Sequence, residues 1–533
     1  MAGGAPWWRG AVIYQVYIRS FADGNGDGQG DFAGLTARLG YLAGLGIDAI
    51  WLSPIHPSPN RDWGYDVSDY EGIHPDYGTP EDFDHLLAEA HALGLKVITD
   101  EVLAHTSDEH RWFRESLKGG EKADWYVWAD PKPDGTVPNN WLSAFAGPAW
   151  AYQPDRRQYY HHKFLRQQPK LNWRNPQARA AALAVLDYWL ARGVDGFRLD
   201  VANAYLHDPA LIDNPPVPMN ERDAHNWAHA PNLQFHYQDS NLEENIEALI
   251  QIRRVVESYP DRFVMGEFSE EPWRCGCYAA PDEGLHSGYS FPLLEARTLG
   301  PRFIRDHYAM LAGHAEHWPS IAFSNHDVMR TVSRFGGKEP PAGLAQLMLA
   351  LLLSLRGTAL IYQGEELGLT QAPIRRDQLR DPVGDLYYPY TYGRDGCRTP
   401  MPWEAEADNF GFTTGTPWLP VAPEHRALAV STQLGEGNSS LNFVRRFLLA
   451  RRVSAALRLG DIVFLDAPEP ILAFTRTHES ERLLCVFNMS TSAVVFADPA
   501  VAAGVSLGIG CGHVAADGEA LSLGPCAAEV LRF

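Results

Sequence analysis

The sequence predicts an α/β protein: a (β/α)8 TIM barrel with a small domain inserted after its third strand and a C-terminal antiparallel β-sandwich. Three observations predict it. Short apolar strands alternate with amphipathic helices, a polar and aromatic segment breaks that rhythm after His105, and the chain turns strand-rich from about Ala456. At 533 residues the chain exceeds one ordinary domain and can bury a large core.

Val12–Tyr17 reads as the first strand. Leu35, Leu39, Leu42 and Leu45 then recur at helical spacing, and Ala49–Leu52 reads as the second strand. Phe83, Leu86, Leu87, Ala90 and Leu93 keep helical spacing before the strand Lys96–Val102. Leu183, Leu186 and Leu190 do the same before Gly196–Asp200. Later strand candidates are Phe263–Glu267, Tyr289–Phe291, Ser320–Ser324 and Ala359–Tyr362. The apolar stretch Gly343–Leu355 is too short to span a bilayer and reads as a buried helix. Ile471–Thr477 and Leu483–Phe487 open the sandwich. The expected divisions are 1–105 and 175–455 for the barrel, 106–174 for the inserted domain and 456–533 for the sandwich.

The formal charge of −21 and the lack of a basic stripe argue against nucleic acid as a partner. No charged n-region followed by an apolar run opens the chain, and no membrane partner is expected. Cys275, Cys277, Cys397, Cys485, Cys511 and Cys526 are too scattered for a disulfide framework or a zinc site. Free thiols and a reducing cytoplasm fit that scatter. No organic cofactor is expected.

Ionisable residues gather where barrel strands end: Asp100 to His105, Arg198 with Asp200, Glu267, and His326 with Asp327. In such a barrel these ends form the active-site face, and several groups converging on one rim read as a site. A second constellation is Asp23-Gly-Asn-Gly-Asp-Gly-Gln-Gly-Asp31. Asp23, Asn25 and Asp27 set oxygen ligands at alternate positions, with Gly28 at a turn. The twelfth position is Gly34 where an EF-hand needs glutamate, so this is a different kind of loop. No Lys-Ser or Lys-Thr pair follows, which argues against a phosphate cradle.

Gly196-Phe-Arg-Leu-Asp200, Val264-Met-Gly-Glu267, Phe323-Ser-Asn-His-Asp327 and Asp100-x-Val-x-x-His105 resemble the sequence regions of the α-amylase family of glycoside hydrolases. Tyr14-Gln-Val-Tyr-x-Arg-Ser-Phe21 and Asp62-Trp-Gly-Tyr-Asp66 fit as well, and the resemblance covers almost the whole chain. Gln168-Pro-Lys-Leu-Asn172 looks like the marker of the oligo-1,6-glucosidase and α-glucosidase branch.

The resemblance implies an exo-acting, retaining α-glucosidase on short oligosaccharides or small α-glucosides. Asp200 would be the nucleophile, Glu267 the general acid/base and Asp327 the transition-state stabiliser. Arg198 would hold Asp200 ionised, and His105 and His326 would bind sugar hydroxyls. Tyr65 would stack on the glucose ring, and Phe164 is either a second apolar wall or a core aromatic. Asp62 and Arg394 resemble the pair that closes the pocket beyond the non-reducing end. The metal loop of this branch implies one structural divalent ion, Ca²⁺ first and Mg²⁺ second, on Asp23, Asn25, Asp27, the Gln29 carbonyl and Asp31.

Departures from the family pattern are Ile18 in place of proline, Ala104 in place of asparagine, and an added carboxylate at Glu101. Period-two alternation turns Glu101 away from Asp100, and turns Val201 away from Asp200. Valine after the nucleophile resembles the α-1,6-accepting members of the branch. Two other readings stand beside hydrolysis. One is a transglucosidase or isomerase of the sucrose isomerase or trehalose synthase type, and the other is a silent, transporter-associated relative.

Overall fold

A computed structural model describes residues 5–220, 230–269, 276–279, 284–312 and 317–533. Cys275 lies outside the described residues.

The barrel strands are β1 (Val12–Val16), β2 (Ala49–Leu52) and β3 (Lys96–Glu101), then, after three strands of the insert, β7 (Gly196–Leu199), β8 (Phe263–Phe268), β9 (Ser287–Ser290), β10 (Ser320–Ala322) and β11 (Thr358–Tyr362). They form one eight-stranded sheet in the order β10-β11-β1-β2-β3-β7-β8-β9. Every pairing in it is parallel. The seam between β9 and β10 is joined by side chains: Ser287 Oγ donates to the Trp318 carbonyl at 2.7 Å and lies 2.8 Å from Ser320 Oγ. Nearly every strand residue is buried, as in a sheet covered on both faces, which is why the strands read as apolar runs.

Helices follow where the 3.6-residue period put them. Phe32–Leu45 buries Leu35, Leu39, Leu42 and Leu45, starts on Asp31 as N-cap and ends on Gly46, whose φ of 97° only glycine adopts without strain. Pro80–Ala92 opens with a Thr79–Asp82 capping box. Leu93 is the C-cap and is exposed, so the buried stripe ends at Ala90. Leu344–Ser354 is the buried apolar helix. Strand β9 begins at Ser287, ahead of the expected Tyr289–Phe291, because Pro292 fits the first turn of a helix and Phe291–Glu295 is helical.

Between β3 and the helix Pro176–Arg192 lies a small antiparallel sheet of β4 (Trp128–Ala129), β5 (Trp150–Gln153) and β6 (Gln158–His161), ordered β4-β6-β5. Trp173 Nε1 donates to the Leu103 carbonyl at 2.7 Å and ties the end of this segment to the barrel. Beyond the helix Ala455–Leu459, the chain adds β12 (Asp461–Phe464), β13 (Ile471–His478), β14 (Glu481–Asn488), β15 (Val494–Ala497), β16 (Val505–Ser506), β17 (Val514–Asp517), β18 (Ala520–Leu523) and β19 (Ala528–Arg532), which form a five-stranded sheet, β12-β13-β14-β19-β16, and a three-stranded sheet, β15-β18-β17. Ile471, Ala473, Leu484 and Val486 of the first pack with Phe496, Leu521 and Leu523 of the second, which makes a sandwich. Among the described residues no helix is long and apolar enough to cross a membrane.

Candidate active site

Parallel register assembles the site. Asp100 on β3 pairs with Arg198 on β7, and Glu267 on β8 pairs with Tyr289 on β9. Asp200 follows the last residue of β7. The Arg198 guanidinium, fully buried, donates from Nη1 to Asp100 Oδ1 at 2.7 Å and to Asp200 Oδ1 at 2.9 Å. Its Nη2 forms an ion pair with Glu267 Oε1, and its Nε donates to the Tyr289 hydroxyl at 3.1 Å. Trp51 and Tyr65 present their rings to the same cation at 5.2 and 5.9 Å. Arg198, Asp200 and Glu267 thus meet as their spacing predicted. Glu101 points elsewhere, to His56 at 3.1 Å and Thr99 at 3.0 Å, as alternation along β3 requires.

One cation therefore faces three buried carboxyls. Burial pushes Asp100, Asp200 and Glu267 up to about 7 despite the pull of Arg198, and repulsion among them works in the same direction. The cluster resists full ionisation and keeps a proton near neutral pH. Asp327 differs. Burial alone would raise it, but Arg394 and Arg398, at 3.0 and 2.9 Å, hold it far below the usual carboxylate range. His326 also contacts Asp327, at 3.2 Å, but burial drives this imidazole well below its usual range, so the permanent charges are those of the arginines.

His326 engages Gln15 Nε2 through Nδ1 at 2.7 Å and the Tyr65 hydroxyl through Nε2 at 2.5 Å. The Tyr65 ring lies parallel to the imidazole, 6° apart in plane and 5.1 Å between centroids. The other wall is His105, whose Nε2 lies 2.9 Å from the Tyr65 carbonyl and whose ring meets Phe164 at 5.3 Å. Burial drops His105 to about 4, so it is neutral at ordinary pH. Phe164 is half-buried and also touches Phe145, 6.2 Å away.

One end of the site is bridged by Arg394. Its Nη2 donates to Asp62 Oδ1 at 2.7 Å and to Asp381 Oδ1 at 2.8 Å, while Nη1 reaches Asp327. Its guanidinium also sits over the Phe145 ring at 5.7 Å. Asp62 takes a further hydrogen bond from Gln168 Nε2 at 3.1 Å. The Asp62–Arg394 pair foreseen in the sequence is present.

At the loop 23–31 the side-chain oxygens alternate as expected. Asp23 Oδ1 accepts from the Asn25 and Gly26 amides, Asn25 Oδ1 from Asp27, and Asp27 Oδ1 from Gln29. Asp31 caps the helix Phe32–Leu45 through Gly34 N at 2.6 Å. The donor set is all oxygen, which fits a hard cation, and each Asp, Asn or carbonyl oxygen has a lone pair beyond its amide bond. Among the described residues no three His, Cys, Asp or Glu side chains form a metal-holding group, so an ion here would need Asn25 and the Gln29 carbonyl too.

Several residues escaped the sequence reading. Gln168 stood inside the branch marker, yet its grip on Asp62, the Tyr65 carbonyl and His105 was not legible. Asp381, the N-cap of the helix Pro382–Tyr387, was not singled out in the sequence. Arg398 and Tyr289 carried no signal. Val201 is a correction: its φ of 38° lies in the left-handed region, so β7 has ended and period-two alternation does not apply to it. Its amide instead donates to Glu267 Oε2 at 3.2 Å.

The profile described as "Alpha amylase, catalytic domain" matches residues 15–460. A "Probable alpha-glucosidase" of Rhizobium meliloti (strain 1021) is 49% identical over 502 residues, covering 91% of this chain and 90% of that protein. An "Oligo-1,6-glucosidase" of Heyndrickxia coagulans is 37% identical over 531 residues, covering 92% and 94%. Among solved structures, the alpha-glucosyl transfer enzyme XgtA superposes with a TM-score of 0.96 at 46% identity, over 99% of this chain and 100% of that one. The trehalulose synthase MutB of Pseudomonas mesoacidophila MX-45 reaches 0.89 at 33% identity, with the same coverage.

Proposed function

This chain belongs to the α-amylase family of glycoside hydrolases, and on that premise we propose that it is an exo-acting, retaining α-glucosidase of short oligosaccharides and small α-glucosides. The observation that carries the reading is the pair of buried carboxyls, Asp200 and Glu267, held on one guanidinium. Asp200 attacks the anomeric carbon and forms a β-glucosyl ester. Glu267 protonates the departing oxygen and then takes a proton from water. Asp327, kept ionised by two arginines, accepts hydrogen bonds from sugar hydroxyls and supports the positive charge that develops on the ring. Tyr65 and Phe164 form the apolar walls, with His105 and His326 as polar contacts. Asp62 and Arg394 bind the terminal glucose and close the pocket. The names of the curated relatives support α-glucosides, 1,6-linked ones among them, as substrates.

The same reading assigns 1–105 and 175–455 to the catalytic barrel, 106–174 to an inserted domain and 456–533 to the sandwich. It assigns a structural Ca²⁺, with Mg²⁺ second, to Asp23, Asn25, Asp27, the Gln29 carbonyl and Asp31. A cytoplasmic location is supported by Cys397, Cys485, Cys511 and Cys526, which are free, buried thiols.

A double displacement needs the two catalytic carboxyls roughly 5 Å apart and retains configuration. Proton NMR of fresh product from maltose is expected to show α-glucose first, and initial β-glucose would sink the mechanism. The likeness to XgtA favours a second reading, in which a sugar or alcohol hydroxyl competes with water for the glucosyl ester. Chromatography of products at high maltose separates the two: trisaccharide outpacing glucose marks transfer.

A further inference from the structure

We propose that Tyr289 is a positioning residue that sets where, and at what pH, Glu267 carries its proton. The proposal rests on the reading of Glu267 as the acid/base.

The geometry is specific. Register across β8 and β9 places Tyr289 beside Glu267 on the same face of the sheet. The hydroxyl donates to Glu267 Oε1 at 3.1 Å and accepts from Arg198 Nε at 3.1 Å. The ring is 2% exposed and packs against Trp51 at 6.0 Å, so the hydroxyl has little freedom to turn elsewhere. Glu267 Oε1 thereby receives the tyrosine hydroxyl and faces the positive charge of Arg198 Nη2 as an ion pair, whereas Oε2 accepts from the Val201 amide at 3.2 Å. The oxygen that faces the guanidinium as well as a hydroxyl donor is the better seat for negative charge, which leaves Oε2 to hold the proton that the leaving group takes.

The other groups facing Glu267 are fixed in number. Arg198 and Asp200 come from β7 and its end, Asp100 from β3, and Asp327 from beyond β10. Arg198 favours the carboxylate, and the three aspartates oppose it when ionised. Tyr289 is a neutral side-chain donor in this ring beside the Val201 amide, and its hydrogen bond also favours the ionised form. Removing the hydroxyl destabilises the carboxylate, so Glu267 keeps its proton to higher pH.

The test is the pH profile of kcat/KM for wild type and Tyr289→Phe on an alkyl α-glucoside, whose departure needs protonation. We expect the alkaline limb to move up by about one pH unit, the size of one hydrogen bond to a charged group. We also expect kcat at the optimum to fall on the order of ten-fold, because the carboxyl loses one of its anchors. A limb that coincides with wild type overturns the proposal. Limb position does not depend on how much enzyme is folded, so partial destabilisation leaves the reading intact. If Tyr289→Phe does not fold, 3-fluorotyrosine at position 289 keeps the ring and sharpens the donor. The limb should then move down, and an unmoved limb again overturns the proposal. Glu267→Gln on the same alkyl glucoside separates the two readings. Wild-type activity there would remove the acid/base assignment itself. An inactive Glu267→Gln with an unmoved Tyr289→Phe limb would remove only the role of the tyrosine.

Discussion

Asp100 and Arg198 are register partners on adjacent parallel strands, and their fully buried side chains meet at 2.7 Å. Asp100 also accepts from the Tyr65 hydroxyl at 3.0 Å and from Trp51 Nε1 at 3.2 Å, so it fixes both the cation and one wall of the pocket. Asp100→Asn keeps the shape and removes the charge. It is expected to lower kcat on the order of 100-fold, because the guanidinium that orients both catalytic carboxyls loses its firmest anchor. At pH 5, where burial keeps the Asp100 carboxyl protonated and no charge penalty is relieved by asparagine, stability should fall by about 1–3 kcal/mol from weakened buried hydrogen bonds. Steady-state kinetics with a thermal melt checks this, and an unchanged kcat would contradict it.

Glu267→Gln should behave differently on different leaving groups. A nitrophenolate departs with little protonation, so glucosylation from an aryl α-glucoside should survive far better than turnover of maltose. Equal losses on both would count against Glu267 as the acid. The same variant has a stability signature. An unfolded glutamate ionises near 4.3, whereas the folded carboxyl is pushed up to about 7 by burial. Below pH 4 both states hold the proton and nothing is gained. Between 4 and 7 the unfolded chain ionises while the folded one does not, so rising pH favours unfolding, and the penalty is complete above 7. Glu267→Gln should therefore melt higher than wild type at pH 8 and match it at pH 4.

The barrel was legible because each strand is a short apolar run closed by a helix of the right period. The candidate catalytic residues were legible as a cluster because they sit on or just past those strand ends. Tyr289, Gln168, Asp381 and Arg398 were not, for a physical reason. Their roles arise from contacts between elements far apart in the chain, and nothing local marks them. Arg398 reaches Asp327 across 71 positions, and Gln168 reaches Asp62 across 106. Val201 shows the opposite failure. A local rule, strand alternation, was carried one residue beyond the strand, where the backbone turns to a φ of 38° so that the amide can meet Glu267.

Chelation should separate folding from catalysis at the 23–31 loop. Asp31 caps the helix Phe32–Leu45, and Asp23 Oδ2 accepts from Gly28 N at 2.8 Å and from the Thr413 hydroxyl at 2.5 Å, so the loop couples two distant parts of the chain. A bound Ca²⁺ would offset the repulsion of Asp23, Asp27 and Asp31. EDTA is expected to lower Tm by several degrees, and excess Ca²⁺ to restore it, with kcat at low temperature little changed. Identical melts with EDTA and with Ca²⁺ would rule the ion out. Asp27→Ala should abolish the Ca²⁺ response while leaving the Asp27 amide bonded to Asn25, since among the described residues the Asp27 carboxylate accepts from the Gln29 amide alone.

The ion pairs of Arg394, proposed to close the pocket, make the last prediction. Arg394 holds Asp62, Asp327 and Asp381 at 2.7, 3.0 and 2.8 Å, with Asp62 lying 332 positions away in the chain and Asp381 lying 13. A chain threading past the terminal glucose would have to part these ion pairs in a buried setting, where leaving a charge unpaired costs about 3–5 kcal/mol. Long glucans should therefore be cut only from the non-reducing end, and slowly, while maltose and isomaltose are hydrolysed. Arg394→Ala removes the bridge and leaves the three aspartates facing one another. KM for maltose should rise on the order of 100-fold as the grip on the terminal glucose is lost. Asp327 should also lose part of what holds it ionised, so kcat falls as well. The wild-type product pattern on soluble starch decides the matter: glucose alone at early times supports the closed end, and a ladder of oligosaccharides would refute it.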